Sequence, residues 1–250
     1  MTGILSAEEM IRYDRQIKAL GVEAQSKLKK ASILIVGLGG LGSVSSIYLT
    51  AMGVGRLIVV DREKVELSNL NRQILYSTNN IGEYKAIVAK RRLKALNPKI
   101  DIEGIVTEIN RENVDKLVKD VDLVLDGLDN WKTRLVINEA CVRYGVPFIH
   151  AGVRGFYGQL MVIIPGEGPC LRCIMAKTPL EEEQGVPVIG VIPATIASLQ
   201  VIEALKIITG KGSPSVGYLM YFDGRKLELR KLRVYRNPKC PVCGSKRQGI

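Results

Sequence analysis

Two rhythms of apolar residues run through this chain. Short apolar-rich runs fall at 32–36, 57–60, 100–106, 121–125, 147–151 and 159–164, and each reads as a strand. Between them, apolar residues recur at helical spacing over 43–52, 83–96, 111–119 and 132–144, which read as helices packed on a sheet. Gly53 closes the first of these helices and Asn97-Pro98 the second. Upstream, Ser6 and Glu9 form a capping box, so a helix is expected from there to about Leu20, ended by Gly21, with another at 23–30. This alternation of strand and helix from 31 to 165 predicts a parallel, doubly wound sheet. Beyond 164 the pattern changes. A loop with two cysteines leads into a proline- and glycine-rich crossover. A nearly all-apolar helix at 194–209 follows, to be buried in the core or in a subunit interface. Runs at 217–222 and 226–234, joined by Asp223-Gly224, predict an antiparallel hairpin. The expected fold is α/β: a Rossmann-like, doubly wound, mainly parallel sheet extended by antiparallel strands, with a four-cysteine zinc knot. No repeat or clean linker interrupts it. Residues 1–250 therefore read as a single domain, with N-terminal helices at 1–30, a nucleotide-binding core at 31–165, and the crossover loop, apolar helix, hairpin and knot at 166–250.

Composition narrows the setting. An apolar content of 46% over 250 residues suits a packed α/β protein. No run of about 18 apolar residues predicts a membrane span, and MTGILSAEEM lacks the pattern of a signal peptide. The expectation is a cytoplasmic protein. The net charge of +11 comes from scattered lysines and arginines. It reads as a basic surface first, an acidic protein partner second and RNA third.

Four of the five cysteines form two CxxC pairs, Cys170/Cys173 and Cys240/Cys243. In a cytoplasmic chain such pairs read as metal before disulfide or redox dithiol. Each turn offers two thiolates, and two turns make a tetrahedral zinc site. The 66 residues between the pairs (positions 174–239) mean that the metal would staple distant segments. With four thiolates and no open position, it should be structural. Cys141, inside a predicted helix, reads as a packed core residue.

The chemistry gathers around GLGGLG, residues 37–42, set between the strands at 32–36 and 57–60. Gly37 and Gly39 allow a tight turn and close approach of backbone to a phosphate. Gly42 lets the helix pack against the sheet. Asp61, about 20 residues on, stands where a carboxylate accepts hydrogen bonds from ribose hydroxyls. Alone, this unit points to NAD. Its company points to ATP. The polar stretch after Asp61 carries Ser68, Asn69, Asn71, Arg72 and Gln73, Lys85 lies in the first turn of the next helix, and Asp126 and Asp129 end a parallel strand. Two cations and a carboxylate able to hold Mg2+ are the parts for attack at phosphorus. Hydride transfer would want a proton donor, and the one histidine, His150 at a strand end, reads as structural.

In order along the chain, RYDRQI (12–17), GLGGLG, Asp61, SNLNRQ (68–73), Lys85, DGLDNWKTR (126–134) and the paired CxxC resemble the ThiF/MoeB/HesA family of ubiquitin-activating-like adenylyltransferases, nearest to its MoeB branch. The resemblance covers almost the whole chain. It implies activation of a ubiquitin-like sulfur carrier of the MoaD or ThiS type. The carrier's C-terminal Gly-Gly carboxylate attacks the α-phosphate of ATP, and pyrophosphate leaves. By matching motifs, Gly37, Gly39, Gly40 and Gly42 would line the nucleotide with Asp61 on the ribose. Ser68, Asn69, Arg72 and Lys85 would meet the phosphates, and Asp129, with Asn130 beside it, would bind Mg2+. Arg15 would reach across a homodimer interface into the other subunit's site, as an arginine finger does. The sequence departs from the family twice. Many relatives carry a cysteine in the crossover, and residues 177–193 have none, which counts against a covalent thioester. Glu63 stands where relatives often have Asp. The alternatives are a tRNA-modifying adenylating enzyme of the threonylcarbamoyl-adenosine dehydratase type, a non-enzymatic scaffold and an NAD-dependent oxidoreductase. The carrier's pathway stays open among molybdopterin synthesis, thiamine synthesis, tRNA thiolation and protein tagging.

Overall fold

The computed structural model describes residues 4–175 and 185–244, so positions 176–184 of the crossover lie outside the described residues. Five strands run parallel: β1 (Ser32–Val36), β2 (Arg56–Val60), β3 (Asp101–Ile105), β4 (Leu123–Asp126) and β5 (Phe148–Arg154). Three continue the sheet antiparallel: β6 (Tyr157–Ile163), β7 (Tyr218–Asp223) and β8 (Glu228–Arg233). The spatial order is β3-β2-β1-β4-β5-β6-β7-β8. The helices are α1 (Ala7–Arg12), α2 (Asp14–Leu20), α3 (Val22–Lys30), α4 (Gly40–Met52), α5 (Lys85–Leu96), α6 (Val114–Val118), α7 (Trp131–Tyr144), α8 (Leu171–Ile174) and α9 (Val191–Thr209).

The apolar runs become central strands because both faces are covered. Side chains alternate along β1: Ile33 and Ile35 join Leu57 and Val59 in a core under α4, α5 and α9. Leu34 and Val36 join Ile58 and Val60 in a second core under α6 and α7. Register then fixes the functional edge. Val36 pairs with Val60 on one side and with Asp126 on the other. The C-terminal ends of β1, β2 and β4 therefore lie level, and the segments that follow them emerge together.

Several boundaries differ from expectation for physical reasons. The first helix is two, α1 and α2. Its capping box is present, but Tyr13 (φ −102°, ψ 14°) breaks the run. Tyr13 is drawn inward, where its hydroxyl accepts a hydrogen bond from Asn97 Nδ2 at 2.8 Å and its ring lies against Gly53. Helix α4 starts at Gly40, not Ser43, so the end of the glycine turn is already helical. Helix α5 starts at Lys85, because Val65 pairs with Glu83 and Gly82 through backbone bonds that hold the preceding residues extended. The hairpin turn runs over 224–227, with Leu227 at φ 55°, rather than closing at Asp223-Gly224. Helix α9 takes in Pro193, tolerated in a first turn where its missing N–H has no helical acceptor.

By length and composition alone α9 could cross a membrane. Its packing decides otherwise. Gln200 is fully buried and donates to the carbonyls of Asp126 and Ile149 at 2.9 and 2.8 Å. Glu203, also buried, accepts from Ser215 and Lys206. A Cβ on Gly158 would come within 2.3 Å of Ile196 Cγ1, so the helix lies directly on β6. It is a core helix.

Candidate nucleotide and metal sites

The glycine turn is built by backbone meeting backbone. Gly37 (φ 87°) donates to Val60 O at 2.8 Å, and Gly127 donates to Val36 O at 2.7 Å. A Cβ on Gly37 would sit 2.6 Å from Gly127 O, and one on Gly42 only 1.9 Å from Gly37 O. The turn is thus pressed against both the start of its helix and the loop after β4. Gly39 and Gly40 are half-buried: a Cβ on Gly39 would lie 3.9 Å from Gln73 Nε2, and one on Gly40 3.0 Å from Pro193 Cβ and 3.7 Å from Arg72 Cγ. The first amides of a helix that opens on such a turn are a place where a phosphate can rest.

Asp61 locks this turn. Its Oδ2 accepts Leu38 N–H at 2.7 Å and its Oδ1 accepts Glu63 N–H at 2.7 Å. The buried Tyr76 hydroxyl donates to Leu38 O at 3.0 Å, so the Leu38 residue is gripped from both sides. Burial lifts the Asp61 carboxyl above its ordinary value, against the opposing pull of Lys85 and the two backbone N–H groups. The same burial, with the Asp61 charge, pushes the Tyr76 phenol up. Lys85 enters this cluster from the first position of α5. Its side chain is 3% exposed, and its Nζ lies 2.5 Å from Glu63 Oε2.

The polar loop after β2 folds onto the turn. Asn69 is buried, with Oδ1 accepting Glu66 N–H at 3.1 Å, so it shapes the loop. Ser68 is exposed. Arg72 Nη1 donates to Ser68 O at 2.8 Å and Asn71 Oδ1 at 3.1 Å, and its Cγ lies 3.7 Å from where a Gly40 Cβ would stand. A Cβ on Gly190 would strike Asn71 O at 2.3 Å, so the entry to α9 presses on the same loop. On the far side Asp129 is exposed. Asn130 Oδ1 accepts Thr133 N–H at 2.9 Å as the cap of α7, which leaves its Nδ2 turned to Asp129 at 3.4 Å.

Arg15 is not brought here. It is exposed on α2, whose neighbour Gln16 donates to Met52 O at 2.9 Å. Met52 ends α4, and Gly40 begins it. At 1.5 Å per residue that separates Arg15's anchor from the glycine turn by roughly 18 Å.

Two contributions escaped the reading of the sequence. Gly190 and Pro193, which press on the nucleotide loop, gave no signal before the crossover's path was known. The second is a buried polar network behind Asp129. Asp126 is fully buried; its Oδ2 meets Arg134 Nε at 3.0 Å and His150 Nδ1 at 2.6 Å, and its Oδ1 accepts Leu128 N–H at 2.9 Å. Burial alone would raise the Asp126 carboxyl, but Arg134 and His150 outweigh it and hold it below its ordinary range.

The four cysteines of the two CxxC pairs converge, with all sulfurs within 4.8 Å of one another. Cys170 and Cys240 sulfurs are 3.7 Å apart and those of Cys173 and Cys243 are 3.3 Å apart. A tetrahedron with Zn–S arms of about 2.3 Å places its sulfurs ~3.8 Å apart, so the cage fits that ion. Burial raises the Cys170 thiol, with help from the crowded sulfurs of Cys243 and Cys240, and pushes Cys173 up to about 11. Such crowding of thiols is relieved by a central cation. Asn237 N–H points to Cys173 Sγ at 3.4 Å, and Arg236 Nε donates to Cys243 O at 2.7 Å. Cys141 stands apart, fully buried, its thiol raised by burial.

A doubly wound sheet with a glycine turn at the carboxyl ends of its strands, cations beside it and a separate cluster of four cysteines able to hold a metal is the build of a nucleotide-binding α/β protein. The model of the ThiF family matches residues 13–242, and the chain belongs to that family. It is 44% identical to the sulfur carrier protein adenylyltransferase of Thermus thermophilus, over 95% of this chain and 92% of that one. It is 39% identical to the sulfur carrier protein ThiS adenylyltransferase of Escherichia coli, over 96% and 97% of the two chains. Among solved structures, Escherichia coli MccB with ATP superposes with a TM-score of 0.85 at 25% identity, over 93% of this chain and 74% of that one.

Proposed function

We propose that this protein is an adenylyltransferase that activates the C-terminal Gly-Gly carboxylate of a small ubiquitin-like sulfur carrier. A carboxylate oxygen of the carrier forms a bond to the α-phosphorus of ATP. The bond from that phosphorus to the bridging oxygen breaks, and pyrophosphate departs with the electron pair. The acyl-adenylate remains, ready for a sulfur donor. The observation that carries this reading is the meeting of the glycine turn, Arg72, Lys85 and the exposed Asp129 at one level edge of the sheet. Attack at phosphorus needs those parts.

In this reading the first amides of α4, around Gly39 and Gly40, hold the phosphates, and Asp61 takes the ribose on lone pairs that Leu38 and Glu63 leave free. Asn69 shapes the loop from which Ser68 and Arg72 approach. Lys85, poised on Glu63, adds the second cation. Asp129 holds the nucleotide's Mg2+, and Asn130 steadies it through Nδ2. When bound, Mg2+ offsets the charge that develops on pyrophosphate. Zn2+ in the four-cysteine cage ties the segment before α9 to the segment after β8. Because Arg15 lies at the far end of α4 in its own chain, it serves the site of a second copy, and the working unit is a homodimer. Residues 1–250 act as one adenylating domain in the cytoplasm.

The test is exchange of labelled pyrophosphate into ATP, run with each small ubiquitin-like protein of the source organism that ends in Gly-Gly. Exchange that requires one of these proteins is expected. Its absence with all of them overturns the reading. Mixing Arg15→Ala with Lys85→Met subunits should restore part of the exchange that each lacks alone; no recovery would remove the shared site.

A further inference from the structure

We propose that His150 and Gln159 are positioning residues for the loop that carries Asp129, acting through Asp126 from the face of the antiparallel strands. The proposal rests on the reading that Asp129 holds the nucleotide's Mg2+.

Leu128, immediately before Asp129, is held at both ends. Asp126 Oδ1 accepts its N–H at 2.9 Å, and the Arg134 guanidinium donates to the Leu128 carbonyl and, at 3.1 Å, to Ala151 O. Both holding groups meet at Asp126, where Oδ2 takes Arg134 Nε and His150 Nδ1 joins it at 2.6 Å. The other ring nitrogen of His150, Nε2, lies 3.1 Å from Gln159 Nε2. An amide N–H2 can only donate, so His150 Nε2 accepts and its Nδ1 carries the proton to Asp126. Burial pushes the imidazole's pKa down, in keeping with a neutral ring. The Asp126 carboxylate can only accept, so it requires the same proton on Nδ1; Gln159, by donating to Nε2, keeps the ring neutral and holds it square to Asp126.

The cost of this arrangement argues for a purpose. His150 and Asp126 are fully excluded from solvent, and Arg134 is 6% exposed. Apolar side chains of similar volume would fill the space at no loss of stability. What the polar chain adds is one defined conformation of a loop. Space for it is reserved: a Cβ on Gly152 would press on Gln159 Nε2 at 3.2 Å. Gln159 itself is half-buried on β6, on the sheet face it shares with Tyr157 and Tyr221. The chain of contacts thus runs from an accessible face to the turn before Asp129.

Trp131 supplies the readout. It is the one tryptophan of the sequence, it follows Asn130, and its ring lies 5.4 Å from that of His150. Its emission is titrated with ATP alone, and then with Mg2+ at saturating ATP, in the wild type, Gln159→Leu, His150→Phe and His150→Asn. For Gln159→Leu and His150→Phe the half-saturating Mg2+ should rise about tenfold, as for groups that orient a metal-binding carboxylate. Half-saturating ATP without metal and the melting temperature of Gln159→Leu should stay at wild-type values. His150→Asn, which keeps a donor toward Asp126, should recover part of the loss. Mg2+ half-saturation within twofold of wild type in Gln159→Leu and His150→Phe overturns the proposal. So does parallel loss of metal-free ATP binding. Failure of pyrophosphate exchange would remove the adenylation reading and leave this titration valid.

Discussion

The cysteine knot and the glycine-turn edge solve opposite problems. The knot uses one ligand type four times, from segments 66 residues apart (positions 174–239), and its sulfurs point at each other. Its geometry is a property of the ligands. The edge uses unlike groups from different elements: the first turn of α4, Asp61 after β2, Arg72 from a loop, Lys85 from α5 and Asp129 after β4. None touches all the others. Their meeting is a property of the sheet register that sets Val36 level with Val60 and Asp126. One region should therefore report on stability and the other on chemistry, and variants can be chosen to break that division.

The largest effect belongs to the knot. Structural zinc contributes on the order of 10 kcal/mol in isolated zinc-finger peptides. In this larger core the share is smaller, yet at about 2–4 °C per kcal/mol a loss of about 5 kcal/mol lowers Tm by roughly 10–20 °C. Cys240→Ser should lose the metal in elemental analysis and show such a fall, while the folded fraction keeps exchange within about threefold of wild type by the scale of an indirect effect. An unchanged Tm would end the structural role. Next comes Lys85→Met. Removing a charge aimed at a developing negative charge costs about 10²–10³ in rate, or ~3–4 kcal/mol. Glu63 is left with 51% of its side chain exposed and rehydrates, and Asp61 loses the cation but keeps the Leu38 and Glu63 N–H groups, so Tm should fall only modestly. A large fall in Tm with exchange intact would reverse the assignment.

The sequence carried the fold further than the site. Apolar runs buried on both faces, and helices stopped by Gly53 and Asn97, are local signals, and the structure has a strand or helix at each. Misplaced ends arose where a distant partner decided: Tyr13 breaks a helix to reach Asn97, and Glu83 stays extended to pair with Val65. The paired CxxC was legible for the same local reason. Roles at the edge were legible only as residue types. That Asn130 spends its oxygen on the cap of α7, or that Lys85 rests on Glu63, depends on three-dimensional neighbours. His150 read as structural, and it is buried, but its link to the Asp129 loop through Asp126 needed β4 and β5 side by side.

Gly42→Ala should produce a mixed effect, which makes it the sharpest probe of where the two kinds of region divide. Its Cβ would need the space of Gly37 O, 1.9 Å away, where Gly37 is tied to Val60 O and Gly42 is held within α4. Overpacking of this kind costs about 1–3 kcal/mol, or more where nothing can move. Here the turn can yield only by shifting the start of α4. A lower Tm and weaker ATP binding should appear together in calorimetry. Weaker binding at full stability would mean that α4 moves as a rigid piece, and that the turn is less tightly built than its contacts indicate.

The smallest effect is a slope. His150 has its pKa lowered, first by burial and despite its bond to Asp126. The unfolded chain therefore binds a proton that the folded one refuses. The stability linked to this refusal is present above the ordinary histidine pKa of about 6.5 and is lost as pH falls below it. The slope from one group cannot exceed about 1.4 kcal/mol per pH unit. Asp126, whose pKa is also lowered, adds its own loss only below about 3.8, so the two windows separate. Urea midpoints measured from pH 7 to pH 5 should decline in the wild type and flatten in His150→Asn, which has no proton to take up. If the variant declines as steeply as the wild type, the folded histidine takes up its proton as readily as the unfolded one and is charged at pH 5. Its partner Gln159 must then present its oxygen, and the neutral ring that accepts from Gln159 is ruled out while the bond from Nδ1 to Asp126 remains.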